Sequence, residues 1–202
     1  MADVKWRSYA SVDLLQHRDS GALGSLIPAL PGIYIWRRAF NVADAEELSA
    51  DDFVKWVVGQ CSRPVARVSR VALSHCLTSH GMSIGGGELP PDKLNALELV
   101  AADHRTRNVV LSYIAQLSAF APPIYVGQTD DLYDRLRSHL DGQTGLVSYV
   151  TEALGLSLSD LRVDFVQTGM SRDGSTTATR NRQLLETIAH RVLAPFAVQR
   201  IG

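Results

Sequence analysis

One stretch constrains this chain more than any other. Residues 122 to 140, PPIYVGQTDDLYDRLRSHL, turn a strand into a helix within a few positions. Ile124, Tyr125 and Val126 are β-formers. Gly127 permits a tight exit and lets another group approach the backbone closely. Thr129, Asp130 and Asp131 are N-cap and first-turn residues, with carboxylates at the positive end of the coming helix. Leu132, Leu136 and Leu140 recur every fourth residue, so one stripe of that helix must be buried. Arg135 and His139 have the same spacing and share the neighbouring strip of surface. The leucines pin the helix, and they carry the arginine and the histidine to a place beside the strand.

Two further segments have matching character. Residues 30 to 37, LPGIYIWR, form a second strand-like run that opens on Gly32 and carries Tyr34. Residues 182 to 194, RQLLETIAHRVLA, read as a helix whose single carboxylate is Glu186. Taken singly, each residue has an ordinary reading. Tyr34 and Tyr125 suit half-buried sheet aromatics. Arg135 can pair with Asp131, and Glu186 with Arg182 or His190, at helical spacing.

Together, Gly32-Ile33-Tyr34, then Tyr125-Val126-Gly127 with Arg135 on the following helix, then Glu186, resemble the GIY-YIG nuclease family in type and order. The resemblance spans Pro31–Arg38 and Pro122 to the C-terminus. It implies an α+β fold with a small, mainly antiparallel three-stranded sheet flanked by helices. It also implies a metal-dependent DNA endonuclease that hydrolyses phosphodiester bonds. Tyr34, Tyr125, Arg135, His139 and Glu186 would then converge on one cleft. Glu186 would hold Mg2+ or Mn2+, since a single carboxylate with waters and a phosphate oxygen completes the octahedral shell of a hard cation. Arg135 would clamp phosphate with its planar fork. Tyr34 would take the proton of the attacking water, with His139 as shuttle or phosphate contact.

The chain departs from the family in two places. The asparagine expected after an aromatic near the C-terminus is replaced by Ala197 or Val198, beside Phe196 and Gln199. Gln128 stands at the DNA-facing position where a lysine is frequent. These departures sustain a second expectation, a nucleic-acid-binding or regulatory module on the same fold with cleavage lost.

The remaining chain fits around these motifs. Residues 1 to 31 read as a helical or irregular lead-in broken by Gly21, Gly24 and Pro28. Residues 39 to 121 are a long helical insertion within a single domain spanning residues 1 to 202. In it Asp51 and Asp52 open a helix with Phe53, Trp56 and Val57 on one face. Residues 83 to 92 read as a loop, and Pro91 starts a helical region that runs through Leu117. Residues 146 to 154 predict another helix, and LRVDFV from Leu161 alternates as a strand. Arg63, Arg67 and Arg70 lie in an acid-free run and are spaced for one basic helix face, suited either to a DNA backbone or to plain solvation. Arg180 and Arg182 belong to a second arginine-rich segment that is a further candidate for facing DNA.

The formal net charge is -1, so any grip on DNA must come from such local patches. Cys61, His75, Cys76 and His80 lack the paired C-x-x-C of strong zinc sites and fit buried thiols with solvated histidines better. The opening MADVKWRSYA has no apolar core, and no run approaches membrane-spanning length. The expectation is a cytoplasmic protein without membrane partners.

Overall fold

The computed structural model describes residues 5–62, 64–67, 83–85, 89–168 and 176–193. They form an α+β protein in two compact units, Met1–Ala39 with Ala121–Gly202, and Phe40–Phe120.

The first unit is built on a four-stranded antiparallel sheet of order β1-β6-β2-β5, made from β1 (Arg7–Ala10), β2 (Gly32–Arg38), β5 (Pro123–Thr129) and β6 (Leu161–Gln167). The expected sheet had three strands. The fourth, β1, lies in the supposed lead-in and pairs along β6, with Tyr9 opposite Val163. The Tyr9 ring stacks on Phe165 at 5.9 Å, and Ser8 hydrogen-bonds Asp164. A strand of four residues carries too little alternation to stand out, because its stability comes from the neighbour it pairs with. The lead-in continues as α1 (Ser11–Asp19) and α2 (Leu23–Leu26).

The two faces of the sheet are covered by different elements. On one, Tyr34, Trp36, Tyr125, Val163 and Phe165 pack against α1, α2, α7 (Leu132–Leu140) and α8 (Gly145–Leu154). The leucine stripe is buried as its spacing demands, with Leu132 and Leu136 fully inaccessible. Asp131 caps α7 by accepting the Asp134 N–H at 3.1 Å. On the opposite face, Ile33, Ile35, Val126 and Val166 meet Leu185, Ala189 and Leu193 of α9 (Thr176–Leu193). Arg180 and Arg182 both fall within this helix.

The second unit has its own core of Ala45, Phe53, Val57, Leu97, Ala101 and Leu111. It contains α3 (Ala43–Glu46), α4 (Ala50–Ser62), α5 (Pro91–Ala102) and α6 (His104–Leu117). It is not helical throughout. A short ladder joins β3 (Pro64–Arg67) to β4 (Ser83–Gly85), where a basic helix face and a loop were expected. Pro64 lacks the N–H needed to continue α4 and is compatible with an extended start. Arg67 therefore sits on a strand, while Arg63 and Arg70 lie outside the described residues. Among the described residues, no helix is long and apolar enough to cross a membrane.

Candidate functional site

The site grows from the pairing of β2 with β5, in which Tyr34 lies directly opposite Gly127. The Tyr34 ring crosses the neighbouring strand where there is no side chain. A Cβ built on Gly127 would come within 2.5 Å of Tyr34 Cζ and 3.0 Å of a Tyr125 ring carbon. The glycine of the second motif is thus required by the tyrosine of the first. Gly32 is held in the same way, since a Cβ there would meet the Val166 carbonyl oxygen and Leu132 Cδ1, each at 2.5 Å.

α7 brings its polar strip onto this pair. Arg135 Nε–H donates to Tyr34 Oη at 3.0 Å, and His139 Nε2 lies 3.0 Å from the same oxygen. The Tyr125 ring lies beside Tyr34, with centroids 5.9 Å apart. His139 is walled in by Tyr34, Trp36 and Tyr125, with ring centroids at 5.4, 5.9 and 5.9 Å. Its other nitrogen, Nδ1, is 2.6 Å from Thr144 Oγ1. Thr144 is in turn the N-cap of α8.

Burial sets the electrostatics. Tyr34 is 0% exposed, and burial, with the Tyr125 phenol adding to it, raises its pKa above the ordinary phenol range despite the opposing Arg135 charge. At neutral pH the phenol keeps its proton. Burial, reinforced by Arg135, pushes His139 down to about 3, so the imidazole is neutral. His139 is also 0% exposed, which rules out direct contact with a phosphate in this conformation. Arg135 is only partly buried and is the cation of the group that solvent can reach.

Four of the five residues expected in one cleft therefore meet around a single phenol oxygen. Glu186 stands apart in the architecture. It is half-buried on α9, and that helix packs on the sheet face opposite Tyr34. α9 lies mainly over β5, the edge strand of the sheet. Gln128 is half-buried and pairs with Ile33. Ala197, Val198 and Gln199, where the family asparagine was sought, lie outside the described residues, as do His75, Cys76 and His80. Cys61 is a half-buried free thiol.

Sequence reasoning missed Trp36 and Thr144. Trp36 was findable, because it follows Tyr34 by two positions and so shares its face. Thr144 was legible as a cap before GLVSYV, but nothing in the sequence connects it to His139.

Among the described residues there is no group of three or more His, Cys, Asp or Glu side chains able to hold a metal ion. Compared with protein-family models, curated proteins and solved structures, the chain gives no match.

Proposed function

We propose that this protein is a metal-dependent DNA endonuclease of the GIY-YIG type, with its reacting centre at Tyr34 and Arg135. The observation that carries the reading is the convergence of Arg135 Nε and His139 Nε2 on the Tyr34 hydroxyl, each at 3.0 Å. A sheet needs no such arrangement for stability. Burying a phenol, an imidazole and part of a guanidinium costs desolvation that apolar side chains would avoid.

In this reading the terminal nitrogens of Arg135 face the phosphate and stabilise charge as it develops on the phosphoryl oxygens. Tyr34, as fully buried as His139, would reach an attacking water only once the site opens, and becomes a base only as its phenolate, which burial opposes and the Arg135 charge favours. His139, neutral and enclosed, orients the phenol. Glu186 would hold the divalent cation, which when bound would add positive charge at the phosphate and the leaving oxygen. DNA would be gripped by local basic residues, with Arg67, Arg180 and Arg182 as candidates.

A second reading is favoured by one observation, the packing of α9 on the face away from Tyr34. On that reading the chain is a nucleic-acid-binding or regulatory module in which Glu186 and Arg135 do not cooperate. A supercoiled-plasmid assay with Mg2+ or Mn2+ separates the two. Nicking by the parent that is lost in Arg135→Ala supports the nuclease. DNA binding without cleavage under either ion supports the module.

A further inference from the structure

Arg135 and His139 both hydrogen-bond Tyr34, and the direction of the bond from His139 depends on which of its nitrogens carries the proton. That nitrogen is set by the bond the other one makes. Nε2 faces Tyr34 Oη and Nδ1 faces Thr144 Oγ1, so Thr144 is the group able to decide it.

Among the described residues Thr144 Oγ1 has two hydrogen-bond partners, the Leu146 backbone N–H at 3.4 Å and His139 Nδ1 at 2.6 Å. The Leu146 amide can only donate. Among the described residues the threonine hydroxyl proton has one protein acceptor, His139 Nδ1, and a hydroxyl that accepts from an amide while donating to an imidazole uses both bonds. The short separation matches that pairing. With Nδ1 accepting, a neutral imidazole must carry its proton on Nε2, which then donates to Tyr34 Oη. The phenol oxygen then receives two N–H donors, from Arg135 and His139.

We propose that Thr144 is a positioning residue for Tyr34 acting through His139: its hydroxyl donates to Nδ1, holds the imidazole proton on Nε2, and so makes the ring a second N–H donor to the phenol oxygen. The catalytic consequence rests on the nuclease reading above, while the tautomer does not. A phenol oxygen that already accepts two N–H bonds is arranged for the phenolate, because both donors strengthen when the oxygen becomes negative. With the proton on Nδ1 instead, His139 would draw the Tyr34 proton toward itself and compete with that arrangement.

The test has two arms. In folded, 15N-histidine-labelled protein, the nitrogen chemical shifts and one-bond N–H couplings of His139 report the tautomer without any cleavage. The parent and Thr144→Ser are expected to carry the proton on Nε2, and Thr144→Val, which removes the hydroxyl at equal volume, is expected to lose that preference. A parent with its proton on Nδ1 overturns the proposal, and this arm decides even if Thr144→Val does not fold. In the plasmid assay, Thr144→Val should lower kcat roughly ten- to a hundredfold, the usual effect of losing a supporting hydrogen bond behind a functional group, with KM little changed. Thr144→Ser should restore it. Equal kcat in Thr144→Val and the parent, or a serine variant as impaired as the valine one, overturns the positioning role. A parent that cuts nothing ends the nuclease reading and leaves the tautomer to be judged by the first arm.

Discussion

A neutral histidine sealed under three aromatic rings makes the fold acid-sensitive by an amount that can be worked out. His139 is 0% exposed and its pKa falls from the ordinary 6.5 to about 3 through burial and the Arg135 charge. In the unfolded chain the same imidazole binds a proton near its ordinary value. Above about pH 6.5 both states are neutral there, and the group costs nothing. As pH falls below that value, the unfolded chain gains a proton that the folded protein refuses, and stability drops until about pH 3, where the folded state accepts it too. Taking about 1.4 kcal/mol per pH unit, the loss is roughly 2 kcal/mol at pH 5 and roughly 3 kcal/mol at pH 4. The assay is urea unfolding across this range for the parent and His139→Gln. The variant is less stable at neutral pH, because it abandons the bonds to Tyr34 and Thr144, but its stability should fall less steeply with acid. Other titrating groups act in both proteins, so the difference in slope isolates His139. Parallel pH profiles would refute the buried, neutral histidine.

Four further outcomes follow from the same geometry. Gly127→Ala drives a methyl group into the Tyr34 phenol, costing roughly 1–3 kcal/mol in thermal or chemical unfolding, and should abolish cleavage at temperatures where the variant is still folded. A variant as stable and active as the parent would show that the ring moves freely. Leu136→Ala empties a fully buried place under α7 and should cost roughly 2–5 kcal/mol, measured by denaturant unfolding with an unchanged m-value. Arg135→Lys keeps a charge but loses the Nε–H bond to Tyr34 and the planar fork, so cleavage should fall about a hundredfold or more. Glu186→Gln preserves size and helix preference while removing the charge that would hold a cation, and should lose Mg2+-supported cleavage with DNA affinity largely intact.

The sequence carried most of the tyrosine site because its local rules and its packing agree. Leucines at every fourth position orient α7, Asp131 starts it, and that orientation alone delivers Arg135 and His139 to the strand before it. The alternation of β2 sends Tyr34 to the same side. What the sequence could not carry depends on partners distant in the chain. β1 is a strand only because β6 accepts it, and RSYA by itself states no preference. The basic run after α4 was spaced for a helix, but Pro64 outweighs that spacing and puts Arg67 on β3. α9 is the clearest case. Leu184, Leu185, Ile188, Ala189, Val192 and Leu193 give it a wide apolar arc, and only Leu185, Ala189 and Leu193 meet the sheet, while Leu184, Ile188 and Val192 remain exposed. No pattern in that arc says which face of a sheet the helix will cover, so the place of Glu186 relative to Arg135 was not written in its spacing.

On the nuclease reading, the Tyr34 hydroxyl belongs to a reacting centre and is not simply a buried bond in a core. Supercoiled plasmid incubated with Mg2+ and either the parent or Tyr34→Phe tests it most directly, because the variant removes one oxygen and leaves the ring in place. Nicked and linear DNA is expected with the parent, and a rate lower by about a hundred- to ten-thousandfold with Tyr34→Phe, while both proteins bind the plasmid alike. Equal cleavage by the two proteins would contradict it.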